Sequence, residues 1–247
     1  MSAVPEDLAA VLLCGGRGTR AWPLTQELPK PLLPVGDRPA LEHLVEIYAR
    51  QGVRRFVLAT GYLGAAVRDW AVNATFAPDV SVECRDTGDD ANTGERVLAC
   101  AADVGERFFV TYGDGLGNVD LRALLAAHSD GGRWCTLTTV PLPSQYGTVE
   151  FGDADQVSGF REKPVLPDHW INAGFFVFER AALASWAGPD LERDVLPDLA
   201  ARGQVQAYRH PGFWKSMDTQ KDVADLDRLA AEQGGEPWLS LPAYRSW

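Results

Sequence analysis

The sequence predicts an α/β protein with a Rossmann-like, mixed and mainly parallel sheet that is flanked by helices. An apolar run at residues 8–13 leads directly into a glycine-rich loop, which is typical of a buried parallel strand. Strands then alternate with helices, a rhythm that indicates right-handed crossovers. Short strands and turns follow from residue 146. We expect one domain over residues 1–247, with a first half to about residue 140, a smaller β-rich half over about 141–233, and a tail over 234–247.

In the first half, each predicted strand ends at a break and a helix follows. Asp37 is the expected N-cap of the first helix, Pro39 suits its first turn, and Gly52 suits its end. The predicted strands cover residues 8–13, 55–60, 80–85 and 107–112. The predicted helices cover residues 41–48, 65–71, 95–102 and 121–127.

The second half adds strands to the same sheet and ends in an aromatic tail. The predicted strands cover residues 135–140, 146–151, 156–162, 170–178 and 204–210. The predicted helices cover residues 180–186 and 191–201, and a last helix follows Thr219 and runs through Leu229. Trp238, Tyr244 and Trp247 in the tail are expected to cover a groove or a neighbouring subunit.

The loop after the first strand reads Cys14-Gly15-Gly16-Arg17-Gly18-Thr19-Arg20 and continues to Pro29-Lys30-Pro31. Its small residues let the backbone approach a ligand closely and present N–H groups to it. Arg17, Arg20 and Lys30 add three cations. Backbone donors together with fixed cations suit a polyphosphate, which carries several charges and many acceptor oxygens.

Other interpretations of this loop are weaker. Residues 16–21 fit the dinucleotide-binding pattern G-x-G-x-x-A, but that pattern requires a helix to start inside it, and Pro23, Pro29, Pro31 and Pro34 prevent one. The acidic residue expected after the second strand is also missing. No Gly-Lys-Ser/Thr follows the glycines, which disfavours a Walker loop. An ordinary strand-to-loop turn would leave the density of cations unexplained.

Composition excludes several classes of function. The chain carries a formal net charge of −11, which disfavours binding to nucleic acid or to acidic membranes. No stretch is long enough to span a membrane, and the first ten residues do not read as a secretion signal, so we expect a cytoplasmic protein. The four cysteines form no C-x-x-C pair and the four histidines do not cluster with them, which disfavours a structural zinc site.

Two further loops follow strands of the predicted parallel sheet, and both should therefore reach the same crevice. Thr93-Gly94 could bring backbone groups close to a ligand. Asp114 stands between Gly113 and Gly115 at the end of an apolar strand. It is either a turn residue or a metal ligand, and its place beside the phosphate-suited loop favours Mg²⁺, which takes one or two carboxylates plus phosphate oxygens.

These motifs together resemble the signature of the sugar-1-phosphate nucleotidylyltransferases, and within that family the glucose-1-phosphate cytidylyltransferases. The resemblance rests on Gly15-Gly16-x-Gly-Thr-Arg with Pro29-Lys30-Pro31-Leu32, and on stretches that occur later in the same order. Those stretches are Asp86-Thr87-Gly88, Thr93-Gly94, Thr111-Tyr112-Gly113-Asp114-Gly115, Glu162-Lys163-Pro164, Asn172-Ala173-Gly174-Phe175-Phe176, and His210-Pro211-Gly212-Phe213-Trp214 with Met217-Asp218-Thr219.

The resemblance implies the nucleotide-diphospho-sugar transferase fold and a role for each matching residue. It implies a nucleotide-binding first half and a sugar-binding second half. The implied catalytic residues are Arg20, Lys30, Asp114 and Lys163. The implied nucleotide-binding residues are Leu13, Gly15, Gly16, Gly18, Thr19, Arg20, Lys30, Thr93, Gly94 and Gly113. The implied sugar-phosphate residues are Gly147, Glu162, Lys163, Asn172 and Gly174. Asp114 and Asp218 are the implied Mg²⁺ ligands, although Asp218 could instead cap the helix that follows it.

The implied reaction joins a nucleoside triphosphate, with CTP favoured, to a sugar 1-phosphate, with glucose 1-phosphate favoured, and releases pyrophosphate. The resemblance also implies a homo-oligomer. Two departures weaken the choice of base: Leu28 stands where those cytidylyltransferases carry a second lysine, and residues 74–86 form a shorter segment than theirs. Guanylyl, thymidylyl or uridylyl transfer, a different sugar phosphate or a phosphonate, a nucleotide sensor without catalysis and a nicotinamide-dependent oxidoreductase remain as alternatives.

Overall fold

A seven-stranded central sheet carries strands from both halves of the chain. The computed structural model describes residues 4–5, 7–232 and 235–241. The strands are Ala9–Leu13 (β1), Pro34–Val35 (β2), Arg38–Pro39 (β3), Arg55–Thr60 (β4), Ser81–Asp86 (β5), Arg107–Tyr112 (β6), Gly115–Gly117 (β7), Cys135–Pro143 (β8), Thr148–Phe151 (β9), Val157–Arg161 (β10), Val165–Glu179 (β11), Val205–Arg209 (β12) and Trp214–Ser216 (β13). The α-helices are Ala40–Ala49 (α1), Gly64–Asn73 (α2), Thr93–Ala99 (α3), Leu121–Gly131 (α4), Leu196–Ala201 (α5) and Gln220–Ala231 (α6).

The predicted mixed and mainly parallel sheet is confirmed. Its strand order is β12-β8-β11-β6-β1-β4-β5. Strands β5, β4, β1 and β6 are parallel to one another, as are β8 and β12. Only β11, among the described strands of this sheet, runs antiparallel to its neighbours β6 and β8. Three two-stranded pairs, β2–β3, β7–β13 and β9–β10, lie outside the sheet.

Helices cover both faces of the sheet. Because successive side chains of a strand point to opposite faces, the residues of β1 belong alternately to two apolar clusters. Ala10 and Leu12 of β1 pack in one apolar cluster with residues of α1, α4 and α6. Val11 and Leu13 pack in the other cluster with residues of α3 and α5. All five residues of β1 are buried, which explains why this strand is a continuous apolar run.

The carboxyl ends of the parallel strands meet at one edge and are joined there by backbone hydrogen bonds. The Cys14 amide donates to the Ala59 carbonyl at 2.9 Å, and the Gly113 amide donates to the Leu13 carbonyl at 3.1 Å. The Thr87 amide donates to the Thr60 carbonyl at 2.9 Å. The loops after β1, β4, β5 and β6 therefore start side by side, as expected for the ligand-binding edge of an α/β sheet.

Several local predictions are wrong. Asp37 does not cap α1: its side chain is exposed, and Pro39 occupies the N-cap position. The predicted helix over residues 180–186 is a 3₁₀ segment, Arg180–Ser185, and the predicted helix over 191–201 begins with a π-helical turn, Leu191–Val195, before α5. Strand β11 is longer than predicted, because β8 also pairs with its first residues, Val165 and Leu166, and β6 pairs with its last residue, Glu179.

The tail is described only in part. Trp238 is buried against the His43 ring, with 5.2 Å between ring centroids, so this aromatic covers a site on α1. The predictions for Tyr244 and Trp247 lie outside the described residues. Within the described ranges, no helix combines the length and the apolarity needed to cross a membrane.

Candidate active site

A cavity of about 710 Å³ opens at the carboxyl edge of the parallel strands. The glycine-rich loop after β1 forms one side, and the start of α3 forms another. The loop after β6, residues of β11 and β13, and the segment that carries Asp190 and Glu192 complete its walls. Parts of both halves of the chain therefore line one cavity.

The glycine-rich loop is held from below by a buried guanidinium. Arg96 in α3 is 3% exposed and donates to the Gly15 carbonyl at 3.0 Å, the Thr60 carbonyl at 3.2 Å and the Gly88 carbonyl at 2.9 Å. A Cβ atom at Gly15 would lie 2.2 Å from the guanidinium, and one at Gly61 would lie 2.4 Å from it. Both glycines are therefore required by the arginine beneath them, and burial lowers the pKa of Arg96.

Two short strands bring together the carboxylates of Asp114 and Asp218. Strand β7 begins directly after Asp114, and β13 ends two residues before Asp218. They pair in antiparallel fashion with Ser216 opposite Gly115, and the Met217 amide donates to the Asp114 carbonyl at 2.8 Å. The Ser216 hydroxyl also donates to Asp218 at 3.1 Å. Residues that are 104 positions apart in the sequence thus meet at one rim of the cavity.

Two cations contact this carboxylate pair. The Lys30 ammonium lies 2.5 Å from Asp114 Oδ2 and 3.0 Å from Asp218 Oδ1, and its side chain is only 9% exposed. The Arg20 guanidinium lies 2.9 Å from Asp218 Oδ1 and is largely exposed. Lys30 is fixed by a 3₁₀ turn, Lys30–Leu32, in the proline-braced part of the loop. The rim therefore combines an inward-facing ammonium, an outward-facing guanidinium and two acids.

Most of the predicted site residues line this cavity. In the loop they are Leu13, Gly15, Gly16, Gly18, Thr19 and Arg20. Elsewhere they are Lys30, Thr93, Gly113, Asp114, Asn172 and Asp218. A Cβ atom at Gly16 would meet no atom within 4 Å, so this glycine borders open space, whereas one at Gly113 would lie 2.7 Å from the Leu13 carbonyl oxygen.

Five predicted site residues lie outside the lining of the cavity. A Cβ atom at Gly94 would lie 2.7 Å from the Pro189 carbonyl oxygen, and one at Gly174, whose φ is +79°, would lie 2.2 Å from the Tyr112 ring. Glu162 and Lys163 lie in the exposed turn between β10 and β11, with 3.7 Å between their charged groups. Gly147, before β9, packs against the Phe160 ring. The structure therefore groups Arg20, Lys30, Asp114 and Asp218 but does not place Lys163 with them.

The sequence prediction left open whether Asp218 caps the last helix. Thr219 is the N-cap of α6, because its hydroxyl accepts from the Asp222 amide and the Asp222 carboxylate accepts from the Thr219 amide. Asp218 is thereby left free to face the cavity.

Three residues in this region are not predicted from the sequence: Arg96, Tyr112 as a polar wall residue, and Glu192. Tyr112 and Glu192 line the cavity and are hydrogen-bonded to each other. A charged residue in a predicted helix usually indicates a solvated face, so neither Arg96 nor Glu192 stood out. The Thr-Gly-Glu-Arg order at residues 93–96 was the one available indication, because it places an arginine one helical turn after the loop.

Comparison with known proteins agrees with this geometry. The family described as nucleotidyl transferase matches residues 9–231. This chain belongs to the nucleotidyl transferase family. It is 33% identical to the glucose-1-phosphate cytidylyltransferase of Salmonella typhi, over 94% of this chain and 98% of that one. It is also 33% identical to the mannose-1-phosphate guanylyltransferase of Mycobacterium tuberculosis, over 90% of this chain and 66% of that one.

A solved structure shares the fold of this chain. HddC from Yersinia pseudotuberculosis superposes with a TM-score of 0.72 at 20% identity, covering 90% of this chain and 98% of that one.

As a nucleotidyl transferase, the chain is an enzyme, and the non-catalytic and nicotinamide-dependent alternatives are set aside. The geometry agrees, because only a 3₁₀ turn, Thr19–Ala21, follows the glycines, where a dinucleotide site would start a long helix.

Proposed function

We propose that this enzyme transfers the cytidylyl group of CTP to the phosphate of glucose 1-phosphate and releases pyrophosphate. The observation that carries the proposal is the convergence of Arg20, Lys30, Asp114 and Asp218 on one rim of a cavity that also has a glycine-lined floor. The similarity to a named cytidylyltransferase over nearly the whole chain supports the choice of base and sugar.

Charge repulsion between the two substrates is the main obstacle to this reaction. The phosphate oxygen of the sugar phosphate is already an anion, so the reaction needs no general base. It needs two anions to be held in line and their charge to be neutralised. Arg20 and Lys30 supply cations on the side of the glycine-rich loop, where the triphosphate and the departing pyrophosphate would lie. We infer a direct displacement at the α-phosphorus without a covalent enzyme intermediate.

The donor set at the rim suits Mg²⁺. Both carboxylates lie within 3.0 Å of one ammonium nitrogen, so their oxygens converge on a single cation-sized position. Among the described residues there is no cluster of three or more histidine, cysteine or acidic side chains arranged to hold a metal. A pair of carboxylates is what Mg²⁺ uses when phosphate oxygens complete its shell. Asp114 and Asp218 would hold the ion, which when bound would draw negative charge from the α-phosphate.

The sugar side of the proposed site depends on two elements. Asn172 of β11 lines the cavity, and its amide nitrogen donates to the Tyr112 hydroxyl at 2.9 Å. Lys163 and Glu162 stand in the turn that connects the exposed β9–β10 hairpin to β11. We propose that this turn closes toward the cavity when the sugar phosphate binds, so that Lys163 guides the attacking phosphate.

Guanylyl transfer to mannose 1-phosphate is the second candidate, because the guanylyltransferase of Mycobacterium tuberculosis is equally identical to this chain. A pyrophosphate-release assay with CTP, UTP, dTTP, ATP and GTP against a panel of sugar 1-phosphates separates the candidates. We expect the highest kcat/KM with CTP and glucose 1-phosphate. Preference for another pair would replace the assignment of base and sugar, and release with none of the pairs would overturn the proposed function.

The matched variants for this assay are Asp114→Asn and Asp120→Asn. Removing the Asp114 charge at the rim should lower kcat/KM by about 100-fold or more. Asp120 caps α4 by accepting from the Arg122 and Ala123 amides, and asparagine can make the same cap, so its substitution should leave turnover near that of the unmodified enzyme. Normal turnover in Asp114→Asn would show that the site is wrongly assigned. The homo-oligomer and the cytoplasmic location stay predictions.

A further inference from the structure

One wall of the cavity is built from neutral hydrogen-bonding side chains around an acid, whereas Arg20 and Lys30 lie on the rim. We call Thr93, Tyr112, Asn172 and Glu192 the acceptor wall. Glu192 Oε1 accepts from the Tyr112 hydroxyl, and Glu192 Oε2 accepts from the Thr93 hydroxyl at 2.7 Å. Asn172 in turn donates to the Tyr112 oxygen at 2.9 Å and accepts from the Gly174 amide at 2.8 Å. All four side chains line the cavity.

Glu192 differs in its partners from Asp114 and Asp218, the two acids of the rim. Asp114 and Asp218 each contact a lysine or arginine, whereas no lysine, arginine or histidine of the described chain lies within 4.0 Å of the Glu192 carboxylate. An ionised carboxylate offers about four lone-pair sites, and two hydroxyl donors leave about two of them open. Glu192 is also exposed, so these open sites can reach a ligand in the cavity.

Glu192 lies in a segment, residues 186–192, that is attached to the start of α3 by contacts that do not need the Glu192 side chain. The Leu191 amide donates to the Thr93 hydroxyl at 2.9 Å, and the Glu95 amide donates to the Pro189 carbonyl at 3.0 Å. The Trp186 indole donates to the Gly94 carbonyl at 3.1 Å. These three bonds already join the segment to the start of α3. The carboxylate of Glu192 is therefore additional to the packing, and a ligand would explain its place.

The chemistry of the acceptor wall selects a neutral donor. A phosphate would be repelled by Glu192, and the cations that suit phosphates lie on the rim. Burial and the adjacent carboxylate raise the pKa of Tyr112, which therefore stays protonated and keeps donating to Glu192. Both substrates of the proposed reaction carry a hydroxylated ring next to their phosphates: the ribose of the nucleotide and the ring of the sugar phosphate. Ring hydroxyls are the donors that both substrates offer.

We propose that Glu192 accepts a hydrogen bond from a ring hydroxyl of a substrate and thereby discriminates against analogues that lack that hydroxyl. This inference rests on the proposed function for the identity of the two rings. Tyr112 and Thr93 act as positioning residues, because they hold the carboxylate through one oxygen each. The two possible sources of the hydroxyl, ribose and sugar, are separated by the experiment.

The test compares Glu192→Gln with the unmodified enzyme in direct binding titrations. The ligand pairs are CTP against 2′-deoxy-CTP and 3′-deoxy-CTP, and glucose 1-phosphate against its 2-, 3-, 4- and 6-deoxy analogues. In the unmodified enzyme we expect one hydroxyl to strengthen binding by about 10- to 100-fold, the range for a hydrogen bond to a charged group. We call the Kd of a deoxy analogue divided by the Kd of its parent ligand the hydroxyl ratio. In Glu192→Gln the large hydroxyl ratio should fall to near one. Whether it falls for the CTP analogues or for the glucose 1-phosphate analogues identifies the source of the hydroxyl.

Glu95→Gln is the matched control. Glu95 closes the N-terminal cap of α3, the helix that begins at Thr93: its carboxylate accepts from the Asn92 amide, and glutamine can replace glutamate in this capping box. All hydroxyl ratios should stay unchanged in this variant. Should Glu192→Gln fail to fold, Glu192→Asp keeps the charge but withdraws it by one methylene, and the same ratio should fall.

Unchanged hydroxyl ratios in both arms of Glu192→Gln would overturn the inference, as would an unmodified enzyme that shows no hydroxyl preference or no binding. Failure of the proposed function has a different signature, because it would appear as binding without pyrophosphate release in the unmodified enzyme.

Discussion

Lys30 places its ammonium group between two carboxylates, and this contact has a consequence for metal binding. The distances of 2.5 Å to Asp114 and 3.0 Å to Asp218 mean that the lysine neutralises the acids in the absence of nucleotide. A divalent cation must compete with the ammonium for the same oxygens. Triphosphate oxygens would relieve this competition by attracting Lys30.

Replacement of Lys30 by methionine should therefore have two opposite effects. Turnover should fall by about 100- to 1,000-fold, because a cation that stabilises the reacting phosphates is lost. The affinity of the nucleotide-free protein for Mn²⁺, measured by electron paramagnetic resonance, should rise, because the competing ammonium is gone. The control is Lys215→Met, which removes an ammonium that lies 3.3 Å from Asp222 and 3.2 Å from Asp225. Unchanged or weaker Mn²⁺ binding in Lys30→Met would contradict the competition.

Arg96 is the second residue whose removal is informative. Arg96→Met should leave the carbonyls of Gly15, Thr60 and Gly88 without this donor in a buried site. We expect the free energy of unfolding to fall by about 3 kcal/mol or more, and CTP affinity to fall with it. Urea denaturation and a CTP titration measure the two effects.

Arg228→Met is the matched control for Arg96→Met, because Arg228 also lies in a helix, α6, but makes an exposed ion pair with Glu232. Loss of an exposed pair should change stability little. Equal destabilisation by the two substitutions would show that the bonds beneath the glycine-rich loop are not special.

At the scale of elements, the sequence predicted best those strands that are buried on both faces. The predicted bounds of β4 and β6 agree with the structure, and β1 starts one residue later than predicted. Such strands are continuous apolar runs with clear breaks. The cap at Asp37 failed because the β2–β3 turn precedes α1 and places Pro39 at its start. The pairing of β7 with β13, three residues each, has no local pattern, so the meeting of Asp114 and Asp218 could only be inferred from resemblance.

The β9–β10 hairpin is an exposed element that directly precedes the turn carrying Lys163. Its side chains Phe151 and Phe160 are 67% and 64% exposed, so the described residues leave an apolar surface of the hairpin uncovered. Lys163 follows it and adopts a positive φ of 44°, in the turn that we propose closes on the sugar phosphate.

Lys163→Met should therefore raise KM for the sugar phosphate by about 10-fold or more and leave CTP affinity unchanged, since in the proposed closed turn the lost ammonium would contact only the second substrate. Steady-state kinetics with each substrate varied in turn measure this split. Arg161→Met is the control, because Arg161 pairs with Glu150 within the same exposed hairpin. Loss of CTP affinity, or an equal effect of Arg161→Met, would contradict the assigned role of Lys163.

At the scale of the whole molecule, the net charge of −11 contrasts with the cations that gather at one rim. Composition predicted the acidic surface, and the loop sequence predicted the local cations. The sequence predicted that the second half adds strands to the same sheet, but it did not predict that β11 inserts between β6 and β8 in antiparallel fashion, because these pairings join residues that are distant in sequence. The sequence also could not predict the position of Lys163, because an exposed turn is not fixed by packing against the core.

Stability should depend on pH through three buried histidines. Burial lowers the pKa of His43, His128 and His210 below the ordinary value of 6.5. The unfolded chain therefore binds more protons than the folded one between the lowered values and about pH 6.5, and stability rises with pH across that window. It should fall as the pH is lowered below about 6.5, by at most about 1.4 kcal/mol per pH unit for each histidine.

Urea denaturation at a series of pH values from 7.5 to 5 measures this slope. His43→Gln should reduce the slope relative to the unmodified protein, even if its stability is lower at every pH. A free energy of unfolding that is flat or increases on acidification through this range would contradict the buried, neutral state of these rings.

The central claim is that the rim of cations and carboxylates lets two phosphate groups react with each other. The most direct measurement is a ³¹P NMR time course of the purified protein with CTP, glucose 1-phosphate and Mg²⁺. We predict that the resonances of a diphosphate diester and of pyrophosphate grow together, at equal rates, while both substrates disappear. Hydrolysis of CTP without consumption of glucose 1-phosphate, or no reaction with this or any other nucleotide and sugar 1-phosphate pair, would contradict the claim.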